Sequence, residues 1–291
     1  MVELLHNHFC VIGDPIGHSL SPDIHAKVFA LQGLDYTYEK VHVTNENLSD
    51  FVEDSRRLAR PGFNVTIPHK ENIIPFLDQI DPFAKRIGAV NTVWNREGTF
   101  IGYNTDVHGC RVALEQSGWS ASHTNSDSVI LIGAGGAARA VLAALHSMGN
   151  KSVLLFDIDS KKANHLANTY ADLQTMTITV ADSFEAIYET METSTLLINT
   201  SPVGMWPHTD RTPVENWHRI HPKMHVFDLV PKPVNTRLLQ QAKQQGAQII
   251  PGLFMLVAQA LAADEIWFQS HLPASVFPNV MAYMLDLTER D

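Results

Sequence analysis

Residues 129–138, VILIGAGGAA, constrain the fold of this chain more than any other stretch. Four apolar β-formers run into Gly133, Ala134, Gly135, Gly136, Ala137 and Ala138, which fit G-x-G-x-x-[G/A], and an alanine-rich helical pattern follows. Gly133 suits the tight turn, Gly135 allows close approach to the backbone, and Ala138 lets the helix pack on the strand. Alone, such a turn could serve helix–strand packing and nothing else. Here Asp157 stands at the end of the next predicted strand, about 20 residues on, and completes the dinucleotide-binding fingerprint. A pyrophosphate then belongs on the helix N-terminus, where free amides and the helix dipole favour an anion.

The pattern continues on both sides. Predicted strands at 153–156, 176–180, 195–198, 226–230 and 248–250 alternate with helical stretches at 161–170, 184–191 and 236–245. That alternation argues a Rossmann-type, doubly wound parallel sheet. Upstream, strand 9–12, a helix from Pro22, strand 36–43, helix 48–58 and strand 63–67 form a separate α/β pattern. Two short helical stretches broken at Pro75 and Pro82 follow, then two strands around the turn REG, and a helix to about Ser117 that Thr105 or Asp106 can cap. Residues 118–128 are polar and mark a domain junction or a long surface loop. The expected organisation is a first α/β domain over 1–105, a dinucleotide domain over 106–252 with a connecting helix at 106–117, and C-terminal helices over 253–291.

Composition excludes several classes. The 291 residues are 45% hydrophobic, enough for a sizeable core, and carry 21 Lys plus Arg against 31 Asp plus Glu, a formal charge of −10. No broad basic face invites nucleic acid or anionic lipid, so small molecules are the expected partners. No apolar run reaches the roughly 18 residues of a membrane span, and the expected location is cytoplasmic. Cys10 and Cys110 stand far apart and read as buried thiols rather than a disulfide or a metal site. Fifteen histidines invite a search for metal ligands, but HExxH is absent and Pro222 interrupts the group His218, His221 and His225, so no metal is expected.

A nicotinamide cofactor carries a hydride but no proton, so carbonyl reduction needs a nearby acid. The segment NVTIPHKE offers one. Val65, Thr66 and Ile67 favour a strand that Pro68 must stop, which holds Lys70 at a fixed strand end. The plain alternative is a solvated lysine opening the next helix. YNTD puts Asp106 at another strand-to-helix boundary, where it can meet Lys70 or merely cap a helix.

GHSLSP, NVTIPHKE, GAVNTV, YNTD, IGAGGAARA, INTSPVGM and GLFMLVAQA occur in one order from about Phe9 to the C-terminal helices. In that succession the chain resembles the shikimate dehydrogenase family. The resemblance implies that 1–105 is a substrate-binding and catalytic domain, that the C-terminal helices return to it, that the active site lies in a cleft between the two domains, and that the reaction is reversible reduction of 3-dehydroshikimate to shikimate in aromatic amino-acid biosynthesis. It matches Lys70 and Asp106 to the catalytic pair, Ser19 and Ser21 to the hydroxyls that hold the substrate carboxylate, and Asn64, Thr66, Asn91 and Gln259 to ring-hydroxyl contacts. Gln259, polar in an apolar helical run, is otherwise an exposed helix position. The cofactor set is Gly133, Ala134, Gly135, Gly136, Ala137, Asp157, Thr200 and Gly252. Two positions depart from the family pattern. Pro231 replaces a usual tyrosine, which leaves a quinate or dual quinate/shikimate dehydrogenase open, although SLS resembles the shikimate type. Asp157 and Ile158 replace the asparagine and arginine of the NADP-binding pattern, so NAD is the expected cofactor and NADP the alternative. A dinucleotide-binding regulator without turnover is a third reading, and the assembly is expected to be a monomer or homodimer.

Overall fold

The structure, a computed structural model, describes residues 4–121, 128–170 and 176–290. Most of the polar stretch expected to be a junction or surface loop, residues 122–127, lies outside them. The chain divides into two compact units, one of residues 1–109 with 257–291 and one of residues 110–256. The division falls inside the helices α5 (Asp106–Gln116) and α10 (Gly252–Phe268).

The first unit is built on a six-stranded sheet of β1 (His8–Gly13), β2 (Thr37–His42), β3 (Gly62–Val65), β4 (Gln79–Ile80), β5 (Thr92–Arg96) and β6 (Thr99–Tyr103), in the order β2-β1-β3-β5-β6-β4. Only β5 runs against its neighbours. The helices α1 (Ser21–Gln32) and α2 (Leu48–Arg57) join β1 to β2 and β2 to β3, as parallel pairing requires. Phe63, Phe100, Ile12, Val65 and Val93 fill one core. A second cluster packs Phe9 and Phe29 against Ala263 and Trp267 of α10.

Three local expectations are corrected. The strand before Pro68 ends at Val65, so Lys70 sits in the short helix α3 (His69–Asn72) rather than on a strand end. Pro82 opens a helix instead of breaking one, because α4 (Pro82–Ile87) has Pro82 in its first turn and Asp81 as its cap, accepting from the amides of Phe83 and Ala84. β4, two residues long, is hidden between the two prolines. The turn REG joins β5 and β6 with positive φ at both Glu97 (52°) and Gly98 (90°), the twist a two-residue hairpin needs.

The second unit carries a six-stranded, wholly parallel sheet of β7 (Val129–Ile132), β8 (Ser152–Phe156), β9 (Thr177–Val180), β10 (Leu196–Asn199), β11 (His225–Asp228) and β12 (Gln248–Pro251). Its order, β12-β11-β10-β7-β8-β9, reverses direction at β7, which makes it the doubly wound arrangement expected from the sequence. α6 (Gly136–Ser147), α7 (Ser160–Thr169), α8 (Phe184–Met191) and α9 (Arg237–Gln244) are its helices, with α11 (Val276–Arg290) closing the chain in the first unit. Ile130, Leu197, Val226, Ile187 and Leu239 lie in its core. No helix among the described residues is long and apolar enough to cross a membrane.

Candidate active site

Ligands of doubly wound sheets bind at the carboxyl ends of the strands where the order reverses, and here β7 ends in the glycine turn. Gly133 has φ 102°, and a Cβ on it would stand 2.5 Å from Thr200 Oγ1, so both its backbone and its neighbour demand glycine. Thr200 is fixed in turn by donating its hydroxyl to the Ile132 carbonyl at 2.9 Å. Gly135 differs: its backbone is extended, and nothing lies within 4 Å of where a Cβ would be. Among the described residues no packing requires glycine there, which leaves the backbone open to close approach by a phosphate. Gly135 also offers no side-chain cap to α6, so the first-turn amides of Gly136 and Ala137 remain for an anion. Asp157 closes the loop from the end of β8, accepting from the amides of Ala134 and Asp159, both at 2.8 Å. These residues fit a dinucleotide. Gly252 has a different explanation, because a Cβ on it would stand 2.6 Å from the backbone of Leu229.

In the first unit, α3 and α5 bring Lys70 Nζ to 2.5 Å from Asp106 Oδ2, with the two side chains 16% and 9% exposed. The Asp106 carboxylate is therefore engaged with a cation rather than spent on capping its helix. Its other oxygen accepts from Asn91 Nδ2 at 3.0 Å. Asn91 is a hub: Nδ2 also faces Thr105 Oγ1 at 2.9 Å and Gln259 Oε1 at 3.2 Å, while Oδ1 accepts from the Thr105 amide at 2.7 Å and Thr92 Oγ1 at 3.0 Å. The Thr105 N–H can only donate, which fixes the orientation of the Asn91 amide. Gln259 thus lies buried on α10 with its carbonyl turned to this cluster.

Asn64, at the centre of β3, completes the group. Its Nδ2 donates to the Asn91 carbonyl at 3.1 Å and to Thr92 Oγ1 at 3.0 Å, and its Oδ1 accepts from the Tyr38 hydroxyl at 2.6 Å. Ser19 and Ser21 stand at the start of α1, where the Ser21 amide donates to Ser19 Oγ at 3.3 Å. Thr66 follows β3, its methyl lying where a Cβ on Gly13 would intrude, so that glycine makes room for it. A cation held against a carboxylate, ringed by neutral amides and hydroxyls, suits proton exchange with a polyhydroxylated molecule.

Residues 11–93 match the model of the shikimate dehydrogenase substrate binding domain. A shikimate dehydrogenase (NADP(+)) of Methanothermobacter thermautotrophicus is 38% identical over 276 residues, covering 95% of this chain and 96% of that one. The chain belongs to the shikimate dehydrogenase family. Among solved family members, the shikimate 5-dehydrogenase of Listeria monocytogenes in complex with shikimate and NAD superposes with a TM-score of 0.85 at 32% identity, covering 94% of this chain and 96% of its own. The shikimate 5-dehydrogenase of Thermus thermophilus in complex with NADP(H) and shikimate gives 0.81 at 32% identity, with 95% and 99% covered.

Within this chain, Lys70, Asp106, Asn64, Asn91 and Gln259 fall into one hydrogen-bonded cluster, while Ser19 and Ser21 lie at the start of α1 and Thr66 just after β3. Thr92, Thr105 and Tyr38 belong to the cluster too, but the sequence does not single them out for it. Each is an ordinary strand or boundary residue there, and only the β3–β5–β6 pairing reveals Thr92, since Asn64 faces it across the sheet and it faces Tyr103 in turn. Asp228 likewise reads in the sequence only as the middle of the strand expected at 226–230, whereas in the structure it ends β11. It is buried, bonded to Asn199 Nδ2 at 2.9 Å and Thr236 Oγ1 at 2.6 Å, and burial pushes its carboxyl up to about 6. Among the described residues, no group of three or more histidine, cysteine or carboxylate side chains could hold a metal ion.

Proposed function

We propose that the protein reversibly reduces 3-dehydroshikimate to shikimate with a nicotinamide cofactor, Lys70 exchanging the proton at the reacting oxygen. The observation that carries this reading is the 2.5 Å contact of Lys70 Nζ with Asp106 Oδ2 inside a cluster of neutral amides and hydroxyls. The cofactor, when bound, takes or gives the hydride at the reacting carbon. In reduction the Lys70 ammonium gives a proton to the carbonyl oxygen as it becomes hydroxyl. In oxidation the neutral amine takes that proton back. Asp106 holds the ammonium in place, and Asn91 holds Asp106. Ser19 and Ser21 at the start of α1 are assigned to the substrate carboxylate, and Asn64, Thr66, Asn91 and Gln259 to its ring hydroxyls. A site built to pair hydroxyls rejects analogues lacking one, because its own polar groups are then left unpaired. A cytoplasmic setting, with a diffusible cofactor and the chain acting as a monomer or homodimer, completes the reading. Following nicotinamide absorbance with shikimate and then with quinate tests it, and also weighs the quinate alternative that Pro231 leaves open. Turnover of neither would overturn the assignment in favour of a dinucleotide-binding regulator.

The cofactor we assign is NAD rather than NADP, although the Methanothermobacter relative carries NADP(+) in its name. Asp157 at the end of β8 suits the adenosine ribose hydroxyls, and a hydrogen bond to a charged group contributes about 1.5–3 kcal/mol. A phosphate in place of one hydroxyl loses that bond and meets like charge. Ile158, 93% exposed, supplies no cation, and Asp159 beside it adds a second carboxylate while capping α7. Lys161 and Lys162, exposed in the first turn of α7, are the opposing influence. The expected preference for NAD is tens- to hundreds-fold in kcat/KM at saturating shikimate, from a difference of about 2–3 kcal/mol. Asp157→Asn should shift the ratio toward NADP. Equal or better use of NADP by the wild type would overturn the assignment.

A further inference from the structure

Asn64 keeps little hydrogen-bonding capacity for a ligand. Both its amide hydrogens are directed at the Asn91 carbonyl and Thr92 Oγ1, and one lone pair of Oδ1 is taken by Tyr38. The valence left over by these bonds is the second lone pair of Oδ1. The amide cannot turn over to offer a donor, because the Asn91 carbonyl can only accept. Tyr38 must therefore donate to Asn64. Its donor is thereby committed to β3. The phenol thus bonds the centre of β3, from which one substrate contact is assigned.

The ring of Tyr38 is itself held from behind. It stacks on His25 of α1 with centroids 4.1 Å apart and planes 11° from parallel. His25 Nδ1 in turn bonds Asp264 Oδ1 of α10 at 2.8 Å, and both of those side chains are fully buried. Trp267, one turn further along α10, lies 6.3 Å from the Tyr38 ring and donates to the Val93 carbonyl. A tyrosine that merely filled space would need neither a hydroxyl donated to a buried asparagine nor a buried ionisable pair behind its ring.

We propose that Tyr38 is a positioning residue for the substrate, aiming the Asn64 carbonyl oxygen at a ring hydroxyl of the polyhydroxy acid. This rests on the activity proposed above. Tyr38→Phe deletes only the hydroxyl and leaves the ring stacked on His25. The expected result is a KM for shikimate raised about 5- to 10-fold, the net worth of one hydrogen bond, with kcat within about threefold and the KM for the cofactor unchanged. In an Asn64→Ala background the same change should leave the KM where Asn64→Ala alone puts it, since the interaction is already gone. Where that variant turns over too slowly, the dissociation constant of shikimate measured by calorimetry closes the same cycle. An unchanged KM in Tyr38→Phe, or the same factor in both backgrounds, would overturn the proposal. Failure of the wild type to oxidise shikimate removes the activity and this inference together, whereas wild-type turnover without coupling between Tyr38 and Asn64 removes this inference alone.

Discussion

Lys70 and Asp106 form a nearly buried ion pair, and such a pair contributes little net stability because desolvation offsets its attraction. Its value is that it holds an ammonium at one point. Lys70→Ala should lower kcat by at least about 100-fold, the low end for general acid–base catalysis, while the cofactor still binds when titrated by fluorescence. Near-normal turnover by the folded variant would reduce Lys70 to a structural partner of Asp106. At this scale the sequence is legible where the residue type is odd for its setting: a lysine after a proline-stopped strand, a glutamine inside an apolar helix. Tyr38 and Thr92 are not legible, because strands favour tyrosine and threonine anyway, and Thr105 reads only as a helix cap. Their partners lie far off in sequence, Asn64 for Tyr38 and Gln259 for Thr105.

The apolar runs of β1, β7 and β10, the alternating sequence of β2 and the glycine turn make the main elements readable, and the failures are all short ones. A two-residue strand such as β4 carries no period to detect. The Asp81–Pro82 pair does hold a readable signal, a capping side chain followed by a proline at the first helical position. The β5–β6 hairpin offers a test of element-scale strain. Glu97 adopts φ 52°, a region that costs an ordinary side chain roughly 1–2 kcal/mol and that asparagine enters more readily. Glu97→Asn would make the turn Asn-Gly and is expected to stabilise the protein by about 0.5–1 kcal/mol, with turnover unchanged. Urea unfolding measures this, and a lowered midpoint would show that the Glu97 side chain contributes something the turn geometry does not.

For the molecule as a whole, each compact unit has its own hydrophobic core, so unfolding need not be a single transition. Asp228 gives a way to see this. Its carboxyl is raised from 3.8 to about 6 by burial, so the folded state favours the neutral form. The stability this supplies is complete below the unfolded value and is lost as pH rises through about 6. A rise of that size corresponds to about 3 kcal/mol at the limit. Asp228→Asn, which cannot ionise, should therefore gain stability relative to the wild type between about pH 4 and pH 7, by roughly 2–3 kcal/mol. The gain should appear in the transition of the second unit only. A difference between variant and wild type that is flat over this range would show that the bonds from Asn199, Thr236 and Val230 already hold Asp228 as the carboxylate.

The first unit is discontinuous in the chain: residues 1–109 are completed by residues 257–291. A ribosome must therefore make all of the second unit before it can finish the first. At about 5–20 residues per second the delay across residues 110–256 is on the order of 10–30 s. During it Phe9 and Phe29 wait for Trp267, and the pair of Lys70 and Asp106 waits for Gln259. The nascent protein acquires its doubly wound module early and the polar cluster around Lys70 and Asp106 last, in the reverse of the order in which their first residues leave the exit tunnel.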